Sequence, residues 1–97
     1  MRRAETSSRL KAHADALRQA GVASLFVFGS TARDEATAAS DVDIFFDPSP
    51  ARFNLFDVMA VREKIEEFLG CRADVMTRKS IHPHLRDRIE AEAVQIF

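Results

Sequence analysis

The sequence predicts an α/β domain in which helices pack on a small sheet of three or four strands. Three observations carry that reading. Short apolar runs, SLFVF and VDIFFD, are of strand length. Between and around them lie longer stretches with apolar residues at helical spacing. Breakers fall where these segments meet: Gly21, Gly29, Asp47-Pro48-Ser49-Pro50 and Gly70.

The elements follow in order. From Ala4 to Ala20 the residues favour one helix, with Leu10, Ala14 and Leu17 on a common face and Gly21 as its stop. Ser24 to Phe28 reads as a central strand. Residues 30 to 39 are small and polar, which suits a short helix or turn opening at Ser30. Val42 to Asp47 is the second strand. In "FNLFDVMAVREKIEEFLG" the positions Leu55, Val58, Met59, Ile65, Phe68 and Leu69 cluster at helical spacing, and Gly70 is placed as a C-cap. Residues 72 to 77 form a third strand, and Pro83 to Ala93 a last helix with proline in its first turn. The closing VQIF can add a short strand. Phe26, Phe28, Phe45, Phe53, Phe56 and Phe68 are core candidates.

With 97 residues and 46% hydrophobic content, the chain suits a single domain over 1–97 with a real core. A net charge of −1 offers no electrostatic case for nucleic acid or a membrane surface. Residues 1 to 20 are locally basic, with Arg2, Arg3, Arg9, Lys11 and Arg18 against Glu5 and Asp15, which reads as a solvated helix face. The apolar runs are far short of the roughly 18 residues of a membrane span. The charged start is not followed by an apolar stretch, unlike a secretory signal. A single cysteine, Cys71, leaves no internal disulfide and reads as a small apolar filler. A cytoplasmic location is expected.

Two aspartates in the second strand break its pattern. Alternation puts Val42, Ile44 and Phe46 on the core face and Asp41, Asp43 and Phe45 on the other. The two acids would lie roughly 6.6 Å apart, from the strand rise. Their repulsion is about 2.5 kcal/mol at an effective dielectric near 20. A bound cation or open solvent relieves such a pair. Asp74, again an acid inside an apolar strand, stands beside them if the second and third strands are neighbours. Three such carboxylates make a hard, oxygen-only set suited to Mg²⁺; the bland alternative is a solvent-facing sheet surface. An EF-hand loop starting at Asp41 is excluded, because its sixth position is Phe46 and its twelfth Arg52.

Gly29-Ser30 ends a strand and opens a helical segment, a turn able to offer backbone N–H groups and a hydroxyl to phosphate oxygens. Arg33 adds a guanidinium one turn later. No P-loop pattern exists in the chain. His13, His82 and His84 read as surface residues. Arg78 and Lys79 lie just past the third strand, where phosphates or a partner are within reach; a solvated edge is the default. Phe45 is a candidate border for a nucleotide pocket.

"FGSTARDEATAASDVDIFF" resembles the G-S-x-A-R, spacer, S-D-x-D signature of the minimal nucleotidyltransferases of the DNA polymerase beta superfamily. "RADVMTRKSIHPHLRDRIEAEAVQIF" is similar to that family's ending, an acid in a strand, a helix, and an EAV-x-I-aromatic close. The resemblance implies the polymerase beta-like fold with a mixed sheet. It implies that Asp41 and Asp43 hold two Mg²⁺ ions and that Asp74 ligates one of them and takes the proton of the incoming hydroxyl. It implies that Gly29 and Ser30 cradle the phosphates of ATP, assisted by Arg33. Asp34 departs from the pattern, which often has glycine there; an added acid near the phosphates would weaken binding, whereas a side chain pointing to solvent would be harmless.

Proteins resembling this one commonly form the antitoxin half of a pair whose other half is a helical HEPN ribonuclease toxin. The implied activity is transfer of AMP from ATP to a toxin hydroxyl, typically of tyrosine. The competing reading is an antitoxin that neutralises by binding alone, with its nucleotide site idle. A nucleic-acid or small-molecule acceptor is a weaker third.

Overall fold

The computed structural model of the chain describes residues 2–37, 39–49 and 53–97. Its centre is a mixed four-stranded sheet in the order β3-β2-β1-β4, from β1 (Val22–Phe28), β2 (Val42–Pro48), β3 (Ala73–Thr77) and β4 (Val94–Gln95). β1 runs antiparallel to both β2 and β4, and β2 runs parallel to β3. The parallel pair needs a long crossover, supplied by α4 (Leu55–Leu69). The expected tail strand is present as β4.

The predicted first helix is two. α1 (Arg3–Ala12) and α2 (Ala14–Gln19) meet at His13, whose backbone leaves the helical region at φ −109°, ψ 18°. His13 is not a free surface residue either, since its ring stacks on Phe68 at 3.9 Å. Leu10 and Leu17 are fully buried on either side of this break. Two of the basic residues of this segment also serve the fold: Arg9 donates to the Leu69 carbonyl at the C-terminus of α4 (2.8 Å), and Arg18 lies over the Phe97 ring.

α4 opens with a reciprocal cap that the sequence reading did not name. The Asn54 side chain accepts from the Asp57 N–H, and Asp57 accepts from the Asn54 N–H at 2.8 Å. It closes on Gly70 at φ +71°, as expected. Its buried stripe is Val61, Ile65 and Leu69. Leu55 (71% exposed), Phe56 (79%) and Met59 (51%) point away from the core, which corrects their assignment as buried positions. They belong to the first turns of α4, ahead of Val61, where its fully buried stripe begins.

The sheet has two apolar faces. Val42, Ile44 and Phe46 join Leu25, Val27, Val75 and the α1, α2 and α4 side chains in the main core, with Cys71 packed against it. The opposite face carries Phe28, Phe45 and Ile81, flanked by Phe26, Met76 and Ile89, and is covered by α5 (Pro83–Glu92). Phe45 is therefore fully buried, and its candidacy as a pocket border is overturned.

Candidate active site

The acids occupy the stretch of this second face that α5 leaves open. Asp43 pairs across the parallel ladder with Asp74 and across the antiparallel one with Phe28, the residue before Gly29. Side chains at paired positions point to the same face. The register therefore brings Asp43, Asp74 and the start of the Gly29 turn into one row. Asp41 lies just before β2, exposed, with Arg72 at 3.8 Å. So exposed an ion pair contributes little, about 0–1 kcal/mol.

Burial pushes the Asp43 carboxyl above its ordinary carboxylate value, and the Asp74 and Asp41 charges push it further up; Arg33 pulls the other way. Asp43 therefore senses both of the other acids. Among the described residues, however, no three acidic, histidine or cysteine side chains are drawn together closely enough to hold a metal ion. The donor chemistry suits a hard divalent cation, because every available group is a carboxylate oxygen and the central one is strained by like charge. Asp41, Asp43 and Asp74 are the residues that would hold it.

The turn ahead of the acids is α3 (Gly29–Ala32). Gly29 has φ +70°, and a Cβ there would collide with Asp43 Oδ2. Both facts require glycine: the left-handed backbone and the carboxylate packed where a side chain would begin. The Gly29 N–H donates to Glu92 Oε1 at 3.1 Å. In this structure that amide is held by Glu92, while the positive φ of Gly29 allows the close backbone approach expected of it. Arg33 is likewise engaged, with Nη1 on Glu92 at 2.9 Å and Nε on Glu35 at 3.2 Å. Glu35 and Glu92 hold its guanidinium above its already high ordinary value.

Asp34 adopts φ +59°, a left-handed conformation that explains why a glycine suits this position in the resembling family. Its carboxylate accepts from the Arg3 N–H at the start of α1, at 3.2 Å. That contact turns the carboxylate toward the start of α1.

Other candidates fall outside the site. Arg78 is bound to Asp47 by Nε (2.8 Å) and Nη2 (2.9 Å), and to Glu90 by Nη1 (3.1 Å). Asp47 first, then Glu90, raise its pKa. It fastens β2 to α5 and is not available to phosphates. Lys79 is exposed near a cavity of about 520 Å³ lined by Asp47, Phe53, Leu55 and Thr77, at the far end of β2 from Asp41. His82 caps α5, accepting from the His84 N–H, and both rings are exposed. The residue sequence reasoning missed is Glu92. Its signal was the glutamate of the EAV close, given no role because its partners lie 63 and 59 residues away.

A family model described as a nucleotidyltransferase domain matches residues 10–96. The chain is 35% identical over 97 residues to the protein adenylyltransferase MntA of Thermococcus cleftensis, covering 95% of this chain and 93% of that one. A solved structure described as a candidate minimal nucleotidyltransferase superposes with a TM-score of 0.83 at 30% identity, over 97% of this chain and 95% of that one. A toxin–antitoxin crystal structure with AMP-PNP shares the fold at a TM-score of 0.72 and 16% identity, over 90% of this chain and 72% of that one. None of the described helices is long and apolar enough to cross a membrane. The acid row, the glycine turn that abuts it and these likenesses agree: the chain belongs to the nucleotidyltransferase family, in its minimal form.

Proposed function

We propose that the chain is a Mg²⁺-dependent protein adenylyltransferase that moves AMP from ATP to a side-chain hydroxyl, of the tyrosine type, on a HEPN toxin. The observation that carries this reading is the pairing of Asp43 with Asp74 beside the Gly29 turn. It is supported by likeness to a protein adenylyltransferase and by the shared fold of a toxin–antitoxin pair that binds AMP-PNP. Two Mg²⁺ ions on Asp41, Asp43 and Asp74 would polarise the α-phosphoryl oxygens and offset the charge of the leaving group.

The chain's own groups do the rest. Ser30 and the α3 turn bind the outer phosphates, and Arg33 draws them to one side. Asp74 is exposed, so a hydroxyl on another macromolecule can reach it. The acceptor oxygen bonds to the α-phosphorus, the bond to the bridging oxygen breaks, and pyrophosphate departs. The hydroxyl proton passes to the Asp74 carboxylate. Asp43, half-buried and flanked by acids, gains most from a cation and fixes where the phosphorus must lie.

Incubating the toxin with this chain, α-labelled ATP and Mg²⁺ tests the reading. Label on the toxin is expected, lost with Asp43→Asn. An unlabelled toxin, where the wild-type chain still protects cells, would sink it. The exposed Leu55, Phe56 and Met59 favour a second reading, neutralisation by binding alone. A double Asp41→Asn, Asp43→Asn variant separates the two. Full protection by that variant means binding suffices, whereas lost protection with an intact complex means transfer is required.

A further inference from the structure

We infer that Glu92 is a positioning residue for nucleotidyl transfer, holding the Gly29 turn and the Arg33 guanidinium in the geometry that receives the nucleotide's phosphates. The inference rests on the nucleotide-binding reading above. Glu92 is the last residue of α5, on the layer that closes the second face of the sheet. Its two oxygens divide between two targets: Oε1 accepts from Gly29 N–H at 3.1 Å and Oε2 from Arg33 Nη1 at 2.9 Å. Its side chain is 23% exposed, against 65% for Glu35, the other partner of Arg33. Solvent screens the Glu92 contact less, so Glu92 sets the direction of the guanidinium.

The placement is costly for a merely structural tie. Glu92 adds a negative charge to a region that already holds Asp41, Asp43 and Asp74, and it contributes to the upward push on Asp43. α5 is anchored elsewhere without that cost, through Glu90 on Arg78 and through Ile89 in the second apolar cluster. What Glu92 adds is the link between α3 and the acids. The amide it holds belongs to the glycine whose Cβ space is filled by the Asp43 carboxylate. One carboxylate thus fixes the turn, the cation one turn later and, by contact, the wall against which Asp43 lies.

The test is binding of Mg²⁺ and a non-hydrolysable ATP analogue, by calorimetry, to the wild-type chain, Glu92→Gln, Glu92→Ala, Arg33→Ala and the Arg33→Ala, Glu92→Gln pair. Thermal unfolding is followed alongside. Glutamine keeps an acceptor for Gly29 and loses the charge that orients Arg33. Affinity is expected to fall about tenfold for glutamine, as for one charge-assisted hydrogen bond, and further for alanine. In the Arg33→Ala background the glutamine change should cost little, because its effect runs through Arg33. Unchanged affinity in Glu92→Gln with a lowered Tm would mean a structural tie only, and overturns the inference. Tighter binding would mean that Glu92 competes with phosphate, and overturns it too. A wild-type chain that binds no nucleotide overturns the underlying reading and this role with it.

Discussion

Asp43 and Asp47 lie on the same face of the same strand, separated by the buried Phe45, yet their surroundings are opposite. Asp47 meets Arg78 through two parallel hydrogen bonds, and that guanidinium also covers the Phe26 and Phe45 rings at 4.7 and 5.0 Å. Asp43 is flanked by Asp74 and Asp41, and the guanidinium that opposes their push on it, Arg33, is already shared between Glu92 and Glu35. An acid neutralised by a fixed cation is part of the architecture. An acid left among its own kind is available to something mobile and positive. The strand carries both, roughly 13 Å apart along its length, and residue type alone does not tell them apart.

Substitution should separate the two most sharply. Asp43→Asn is expected to lower transfer by about 10³-fold, the scale for removing a group that acts on reacting charge, without loss of fold. Asp47→Asn should leave transfer within a few-fold but cost about 1–3 kcal/mol, because Arg78 loses its bidentate partner. Label transfer and urea unfolding, run on both variants, check the pair. A strongly inactive but stable Asp47→Asn would break the division between the ends of β2.

Gly29→Ala sharpens the same contrast from the turn. The new methyl meets Asp43 Oδ2 and must adopt φ near +70°. The left-handed backbone costs roughly 1–2 kcal/mol, and the displaced carboxylate costs activity, about 10²-fold if the site tolerates no shift. Activity should therefore fall more than stability. Transfer that survives with the same KM for ATP would show that Asp43 does not need the wall that Gly29 provides.

Much of this was legible in the sequence, for reasons that differ by residue. Period-two alternation placed Val42, Ile44 and Phe46 in the core, and the acid in VDI and ADV identified Asp43 and Asp74 as misfits before their register was known. Alternation also put Phe45 beside the acids, correctly, but said nothing of what covers that face. Only the long-range packing of α5 buries it. Helical spacing could not tell that the buried stripe of α4 begins at Val61 and leaves Leu55 and Met59 exposed, nor that His13 breaks the first helix to stack on Phe68. Arg33 and Arg78 looked equally free in sequence, because salt bridges between distant segments leave no local pattern. Asp34 shows the converse: its positive φ is the physical content of the glycine expected there.

The smallest effect tests the electrostatics directly. The folded chain holds the Asp43 carboxyl above the ordinary value of 3.8, so between that value and the raised one the folded state binds the proton more tightly than the unfolded state. Stability contributed by the protonated form is present at lower pH and is lost as pH rises through the raised pKa. Asp43→Asn has no such proton to lose. Its Tm relative to wild type should therefore climb as pH rises through that window and level off above it, leaving the inactive variant the more stable at neutral pH. Mg²⁺ should then narrow the gap by stabilising the wild type alone, as any ligand of the folded state does. Asp47→Asn should not show the narrowing, since Arg78 already supplies there the positive charge that Asp43 lacks.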